Sequence, residues 1–195
     1  TRMNLPNQLT VLRVILVPFF VFFLLGGNSN LFRILALLIF VGASLTDLLD
    51  GKIARARGLV TTFGKLMDPL ADKILVMSAM VCFIHLGYAP AEIVIIILAR
   101  EFLVTSLRLI AAGEGKVIAA DRWGKIKTVT QMCWIIVTLL WLALENAPFL
   151  RGAPLEIAAV FHLLMIALML ASVFFTLLSG FNYCYQNREI FLKDM

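Results

Sequence analysis

Asp47-Leu48-Leu49-Asp50-Gly51-Lys52-Ile53-Ala54-Arg55, then eight residues, then Gly64-Lys65-Leu66-Met67-Asp68-Pro69-Leu70-Ala71-Asp72 places four carboxylates between two long apolar runs. A carboxylate at the centre of a membrane helix costs about 2.5–3.5 kcal/mol on insertion scales, so four of them need a compensating reason. Spacing supplies one. Asp47 and Asp50 are three apart at the end of one apolar run, and Asp68 and Asp72 are four apart at the start of the next. On helices each pair shares a face, and a tight connection would bring the two faces together. Four carboxylates so placed repel one another unless cations lie among them. A donor set made only of oxygen favours Mg2+ or Mn2+, and two such ions would balance the four charges. Solvated charges in a loop are the plainer reading. They fit poorly with Gly51, Ala54 and Gly64, small residues that let a ligand or a second backbone approach closely.

Outward from this stretch the chain is 62% hydrophobic and 15% charged, far from the roughly 25% charged residues of soluble domains. The expected fold is all-α, a polytopic membrane protein forming one domain over residues 1–195. Six apolar runs are long enough to be candidate spans: Leu9–Leu25, Leu31–Thr46, Leu70–Tyr88, Ala91–Ala112, Lys127–Leu144 and Leu155–Gly180. Thr1 and Arg2, ahead of Met3, are expected to be a leftover of expression. The first run carries no small-residue cleavage site and is read as a span, not a cleaved leader.

Basic residues orient the spans. Lys52, Arg55, Arg57 and Lys65 fall between the second and third, and Arg108, Lys116, Arg122, Lys125 and Lys127 flank the connection between the fourth and fifth. The other side offers only Arg33 and Arg151. The positive-inside rule therefore puts those basic loops and both termini in the cytoplasm. A net charge of +5 reads as orientation plus anionic membrane lipids, not nucleic acid, since no basic stripe interleaved with aromatics is present. Cys82, Cys133 and Cys184 are isolated and read as small packing residues; His85 and His162 have no spacing suited to a metal. Pro6 is expected at the first turn of the first helix, with Asn7 as a cap.

A phosphate site dependent on metal accounts for the carboxylates and the small residues together. Two ions about 3.5–4 Å apart would clamp a diphosphate for in-line displacement at phosphorus, with Arg55 a fixed charge for one of its oxygens. The pattern D-x2-D-G-x2-A-R-x8-G-x3-D-x3-D is similar, at every defining position, to the signature of the CDP-alcohol phosphotransferases. That resemblance implies a six-helix membrane bundle, usually a homodimer, with its site near the cytoplasmic face of the bacterial cell membrane. It implies Asp47, Asp50 and Asp68 as metal ligands, and Asp72 as the general base with a metal contact. Gly51, Ala54 and Gly64 would line the CDP moiety, with Arg55 the motif arginine.

Pro6-Asn7-Gln8-Leu9-Thr10-Val11-Leu12-Arg13, Arg100-Glu101, and the stretch from Ser106 to Arg108 and on to Lys125-Ile126-Lys127-Thr128 resemble the bacterial branch of the family that makes phosphatidylglycerol phosphate. This likeness implies CDP-diacylglycerol as donor, sn-glycerol 3-phosphate as acceptor, and CMP as the second product. Arg108, Lys125 and Lys127 are candidates for the acceptor phosphate, while Lys116 and Arg122 suit lipid headgroups better. Asn7, Thr10 and Arg13 are candidates for the nucleotide end, an interfacial cap being the alternative. Other acceptors, inositol phosphate, serine or a second lipid, stay open. So do a prenyltransferase, against which six spans and the D-G-x2-A-R core argue, and a divalent-cation transporter, whose ligands should sit at the membrane midplane.

Overall fold

The computed structural model describes residues 5–27, 29–57, 62–113, 122–145, 147 and 155–188; for 5–7, 47–57, 62–69, 72 and 112 the description stops at the backbone. Within these residues the chain is all helical: α1 Leu5–Leu25, α2 Asn30–Arg57, α3 Thr62–His85, α4 Ala91–Gly113, α5 Arg122–Leu144 and α6 Leu155–Gln186. Three stretches are long and apolar enough to cross a membrane, Gln8–Leu25, Arg122–Leu144 and Leu155–Gln186, and Asn30–Thr46 and Lys73–His85 are shorter apolar segments. The protein is therefore a membrane protein. Helix α4 carries Arg100, Glu101 and Arg108 within its length, which dilutes its apolar character.

The helix ends depart from the apolar runs where polar residues continue the helix. Helix α2 does not stop at Thr46 but runs on through Asp47, Gly51 and Arg55 to Arg57. Lys52, Ala54, Arg55, Ala56 and Arg57 are strong helix formers and carry the ladder across the glycine. Helix α3 likewise begins at Thr62, eight residues ahead of its apolar run. At the amino end α1 starts at Leu5, so Pro6 occupies its first turn as expected, and Asn7 lies inside the helix instead of capping it. Gly87, at φ 77°, makes the turn after α3, a left-handed conformation glycine adopts without a Cβ clash. Helix α6 reaches Gln186, 32 residues in all, or about 48 Å at 1.5 Å per residue.

The chain divides into two compact units, residues 1–88 with 135–158, and residues 89–134 with 159–195. In the first, α1 packs along both α2 and α3. Helices α1 and α2 are antiparallel: Phe22 and Phe23, near the end of α1, meet Phe32, near the start of α2, at ring distances of 6.0 and 5.4 Å. Deeper in, Phe20 and Phe40 lie 5.8 Å apart. Each helix buries a stripe at alternating spacings of three and four, namely Thr10, Arg13, Val17, Phe20 and Leu24 on α1, and Arg33, Ala36, Phe40 and Ala43 on α2. On α3 the stripe is Ala71, Leu75, Ala79 and Phe83. This is the spacing of a helix that presents one face to its neighbours. In the second unit the buried residues include Val94, Ile97, Val104, Leu107 and Ala111 of α4, Lys127, Gln131 and Trp134 of α5, and Met165, Met169, Ser172, Thr176, Ser179 and Tyr183 of α6.

The far end of the first unit closes on itself. Arg33 is buried at the start of α2. Its Nη1 donates to the Leu142 carbonyl at 3.3 Å and to the Glu145 carboxylate, with which it forms an ion pair. The Tyr88 hydroxyl donates to the other Glu145 oxygen at 2.7 Å. Burial, followed by the hydrogen bond to and the charge of Glu145, pushes the Tyr88 phenol up to about 12.

Candidate functional site

Because α2 is continuous to Arg57, the sequence motif becomes a face. Asp47, Asp50, Gly51, Ala54 and Arg55 stand at i, i+3, i+4, i+7 and i+8 along one helix, which places them on a single stripe. Extending the buried stripe Arg33, Ala36, Phe40, Ala43 by its own alternation reaches Asp47, Asp50 and Ala54. On α3, Gly64, Asp68 and Asp72 recur every fourth residue, and Asp72 falls three before buried Leu75. Both aspartate pairs thus lie in register with the inward faces of their helices. The four carboxylate side chains, and the connection 58–61, lie outside the described residues, as do the side chains of Asn7, Ala54 and Arg55.

Topology puts these positions at one end of the first unit. Helix α1 enters there with Asn7, Thr10 and Arg13, and antiparallel α2 returns there with Asp47 and Asp50. Five Cα steps then lead to the start of α3, a path of at most about 19 Å. Thr10 and Arg13, each 2% exposed, occupy the inward stripe of α1. Buried polar residues in a spanning helix mark functional positions by default. The opposite end of the same stripes is apolar, and beyond it lies the Arg33–Glu145–Tyr88 cluster. Oxygen donors alone, four of them carboxylates, fit hard divalent cations and no softer metal. Among the described residues themselves, no group of three or more His, Cys, Asp or Glu forms another such set.

The three basic candidates separate. Arg108 is exposed on α4 with its guanidinium 5.6 Å from the Tyr183 ring centroid. Lys125 is exposed on α5. Lys127 is buried, and its ammonium pairs with Glu101 Oε1. That carboxylate oxygen also accepts from Arg100 Nη1 at 2.9 Å, while Arg100 Nη2 donates to Ser179 Oγ at 2.8 Å. Spacing along the chain could not reveal the pairing of Glu101 with Lys127, which are 26 residues apart on different helices. Arg122 is exposed, and Lys116 lies outside the described residues. Cys82 is buried, Cys133 is exposed on α5 and Cys184 is half-buried, so Cys133 packs less fully than expected. His85 and His162 are exposed.

Residues 3–178 match the family model described as CDP-alcohol phosphatidyltransferase. A protein of Bacillus subtilis (strain 168), named CDP-diacylglycerol--glycerol-3-phosphate 3-phosphatidyltransferase, is 41% identical over 197 residues, covering 95% of this chain and 96% of its own. A Mycobacterium tuberculosis (strain CDC 1551 / Oshkosh) protein, named probable phosphatidylglycerophosphate synthase, is 38% identical over 182 residues, covering 92% of this chain and 79% of its own. A Treponema pallidum (strain Nichols) protein with the same name as the Bacillus one is 37% identical over 153 residues, covering 73% of this chain and 71% of its own.

Proposed function

The chain belongs to the CDP-alcohol phosphatidyltransferase family, and on that footing we propose that it transfers the phosphatidyl group of CDP-diacylglycerol to sn-glycerol 3-phosphate. The products are phosphatidylglycerol phosphate and CMP. The observation that carries the mechanism is the register of the two aspartate pairs with the inward faces of α2 and α3, at the polar end of the first unit. The relatives' names support the acceptor. One family model running through both units supports a single membrane domain.

Enzymes of this family use divalent cations. Asp47, Asp50 and Asp68 would hold two of them, Mg2+ or Mn2+, with Asp72 at their edge. Held there, such ions would supply charge neutralisation of the diphosphate and a lowered pKa for a nearby hydroxyl. Gly51, Ala54 and Gly64 admit the CDP moiety closely, and Arg55 fixes a diphosphate oxygen. Asn7 and Thr10 contact its nucleotide end, with Arg13 beside them. A hydroxyl oxygen of the acceptor attacks the phosphatidyl phosphorus. The bond from that phosphorus to the oxygen of CMP breaks, CMP leaves with the electron pair, and Asp72 takes the hydroxyl proton. Alignment and charge neutralisation supply most of the acceleration. Arg108, Lys125 and Lys127 attract and hold the acceptor phosphate, and Lys127, buried and already oriented, is the one that fixes its position.

Six helices cross the bacterial cell membrane with both termini and the site on the cytoplasmic side. Basic residues near the ends of α2, α4 and α5 support this orientation and bind anionic lipid headgroups. The family resemblance supports a homodimer. The test is CMP release from CDP-diacylglycerol by protein purified in detergent. Release that requires both sn-glycerol 3-phosphate and Mg2+ and is abolished by EDTA is the expected result. Release supported instead by inositol phosphate or serine would overturn the acceptor, and release by none of them would overturn the reaction.

A further inference from the structure

Three ionised side chains meet inside the second unit, where α4, the first part of α5 and α6 pack. Arg100 and Glu101 are adjacent on α4, and Lys127 is on α5. Charge clusters in such surroundings contribute little net stability, because desolvation offsets the attraction. Ionisable residues inside a membrane domain mark function.

The order of contacts gives the cluster a direction. Gly180 of α6 makes room for Arg100, since a Cβ there would stand 3.1 Å from Arg100 Cγ, while on the other side one on Gly124 of α5 would meet its Nη2 at an ordinary 3.5 Å. Seated between them, the guanidinium is fixed on α6 by Ser179 Oγ at 2.8 Å, and Ser179 Oγ donates in turn to the Thr176 carbonyl at 3.3 Å. From that seat Nη1 holds Glu101 Oε1 at 2.9 Å, and the same oxygen takes the Lys127 ammonium. A lysine stem has four rotatable bonds and does not aim itself. Here the glycine seat fixes Arg100, Arg100 fixes Glu101, and Glu101 fixes Lys127.

We infer that Glu101 is a positioning residue for the acceptor: it holds the Lys127 ammonium in the place from which it binds the acceptor phosphate, with Arg100 as its support. This rests on the role of Lys127 proposed above. Around metal ligands the group that orients a binding residue contributes about ten- to a hundredfold in affinity, and an ammonium held for a phosphate is oriented in the same way. Glu101→Gln is therefore expected to raise KM for sn-glycerol 3-phosphate about tenfold while leaving KM for CDP-diacylglycerol unchanged.

The experiment is a double-mutant cycle of E101Q and K127A with both KM values measured in full-length protein, thermal unfolding in detergent as the control for folding, and E101D as the conservative rescue. If Glu101 acts through Lys127, E101Q on top of K127A adds nothing further to the acceptor KM, and E101D recovers most of the loss. Were K127A to raise the acceptor KM and E101Q not, the inference would be overturned with the role of Lys127 intact. Were E101Q to raise both KM values and add fully to K127A, Glu101 would be a structural brace and the inference would fail. Should K127A itself leave the acceptor KM unchanged, the role of Lys127 falls, and the inference with it. If E101Q does not fold, Arg100→Lys, which weakens the support of Glu101, is measured in its place and is expected to raise the acceptor KM alone. A raised acceptor KM alone supports the inference, and any other result overturns it.

Discussion

The two ends of the first unit handle charge in opposite ways. At one end Arg33, Glu145 and Tyr88 answer one another: cation, anion and hydroxyl donor are all supplied by the chain. At the other end the inward stripes of α2 and α3 arrive at four aspartates, with Arg55 on the α2 stripe and Arg13 on that of α1. A mixed cluster is complete when the chain folds. Four carboxylates on adjoining helix ends would gain from a cation brought in from outside, which is the role proposed for them above. On the proposed reading one end is self-contained and the other exchanges ions and substrate with its surroundings.

The largest expected effect tests the exchanging end. Asp50→Asn and Asp68→Asn should each lower turnover by at least about a hundredfold and remove the thermal stabilisation that Mg2+ gives the wild-type protein. At a hundred times Kd that stabilisation is about 2.7 kcal/mol. Calorimetry in detergent with and without EDTA checks it. Retention of the Mg2+ response in both variants would put the ions elsewhere. Next comes Asp72→Asn, expected to lower kcat by about 10² to 10⁴ while CDP-diacylglycerol and Mg2+ still bind. Loss of metal binding as well would make Asp72 chiefly a ligand.

At the self-answering end the effects move from rate to stability. Glu145→Gln removes the charge that pairs with the Arg33 guanidinium, and breaking a buried pair in this way costs about 3–5 kcal/mol; the unfolding midpoint should fall with KM for both substrates unchanged. A shift in either KM would mean that the two ends are coupled. Tyr88→Phe removes one hydrogen bond to a charged group, about 1.5–3 kcal/mol. It also tests a sign. The phenol titrates near 12 in the fold against a usual 10, so its contribution is fully present below pH 10 and lost as the pH rises toward 12. That loss should be absent from the Phe variant, as unfolding curves across this alkaline range would record.

Much of this was legible before any coordinates. Among the described residues six helices fall on the six apolar runs, and three of them hold stretches long and apolar enough to cross a membrane. The aspartates announced themselves by their cost in such surroundings. The stretch from Asp47 to Arg57 was harder to read, since its polarity resembles a loop while its residues favour helix. Only continuity of α2 turns five separate motif positions into one stripe. Least legible were the partners of the charges. Arg33 and Glu145 are 112 residues apart, and nothing local to Lys127 separates it from exposed Lys125. Burial and pairing of this kind arise from how helices lie against one another.

Helix α6 measures about 48 Å against a hydrocarbon layer of about 30 Å. At a typical tilt of about 20° it still spans about 45 Å along the normal, so roughly ten residues rise clear of the lipid tails. Phe181 and Tyr185, both exposed and stacked 6.4 Å apart, stand near its end, with the Arg188 guanidinium 5.1 Å over the Tyr185 ring. Aromatic rings beside a cation are what a protein places at headgroup level. They draw a waterline on the helix, and a bilayer that thickens or thins meets a mooring post with length to spare.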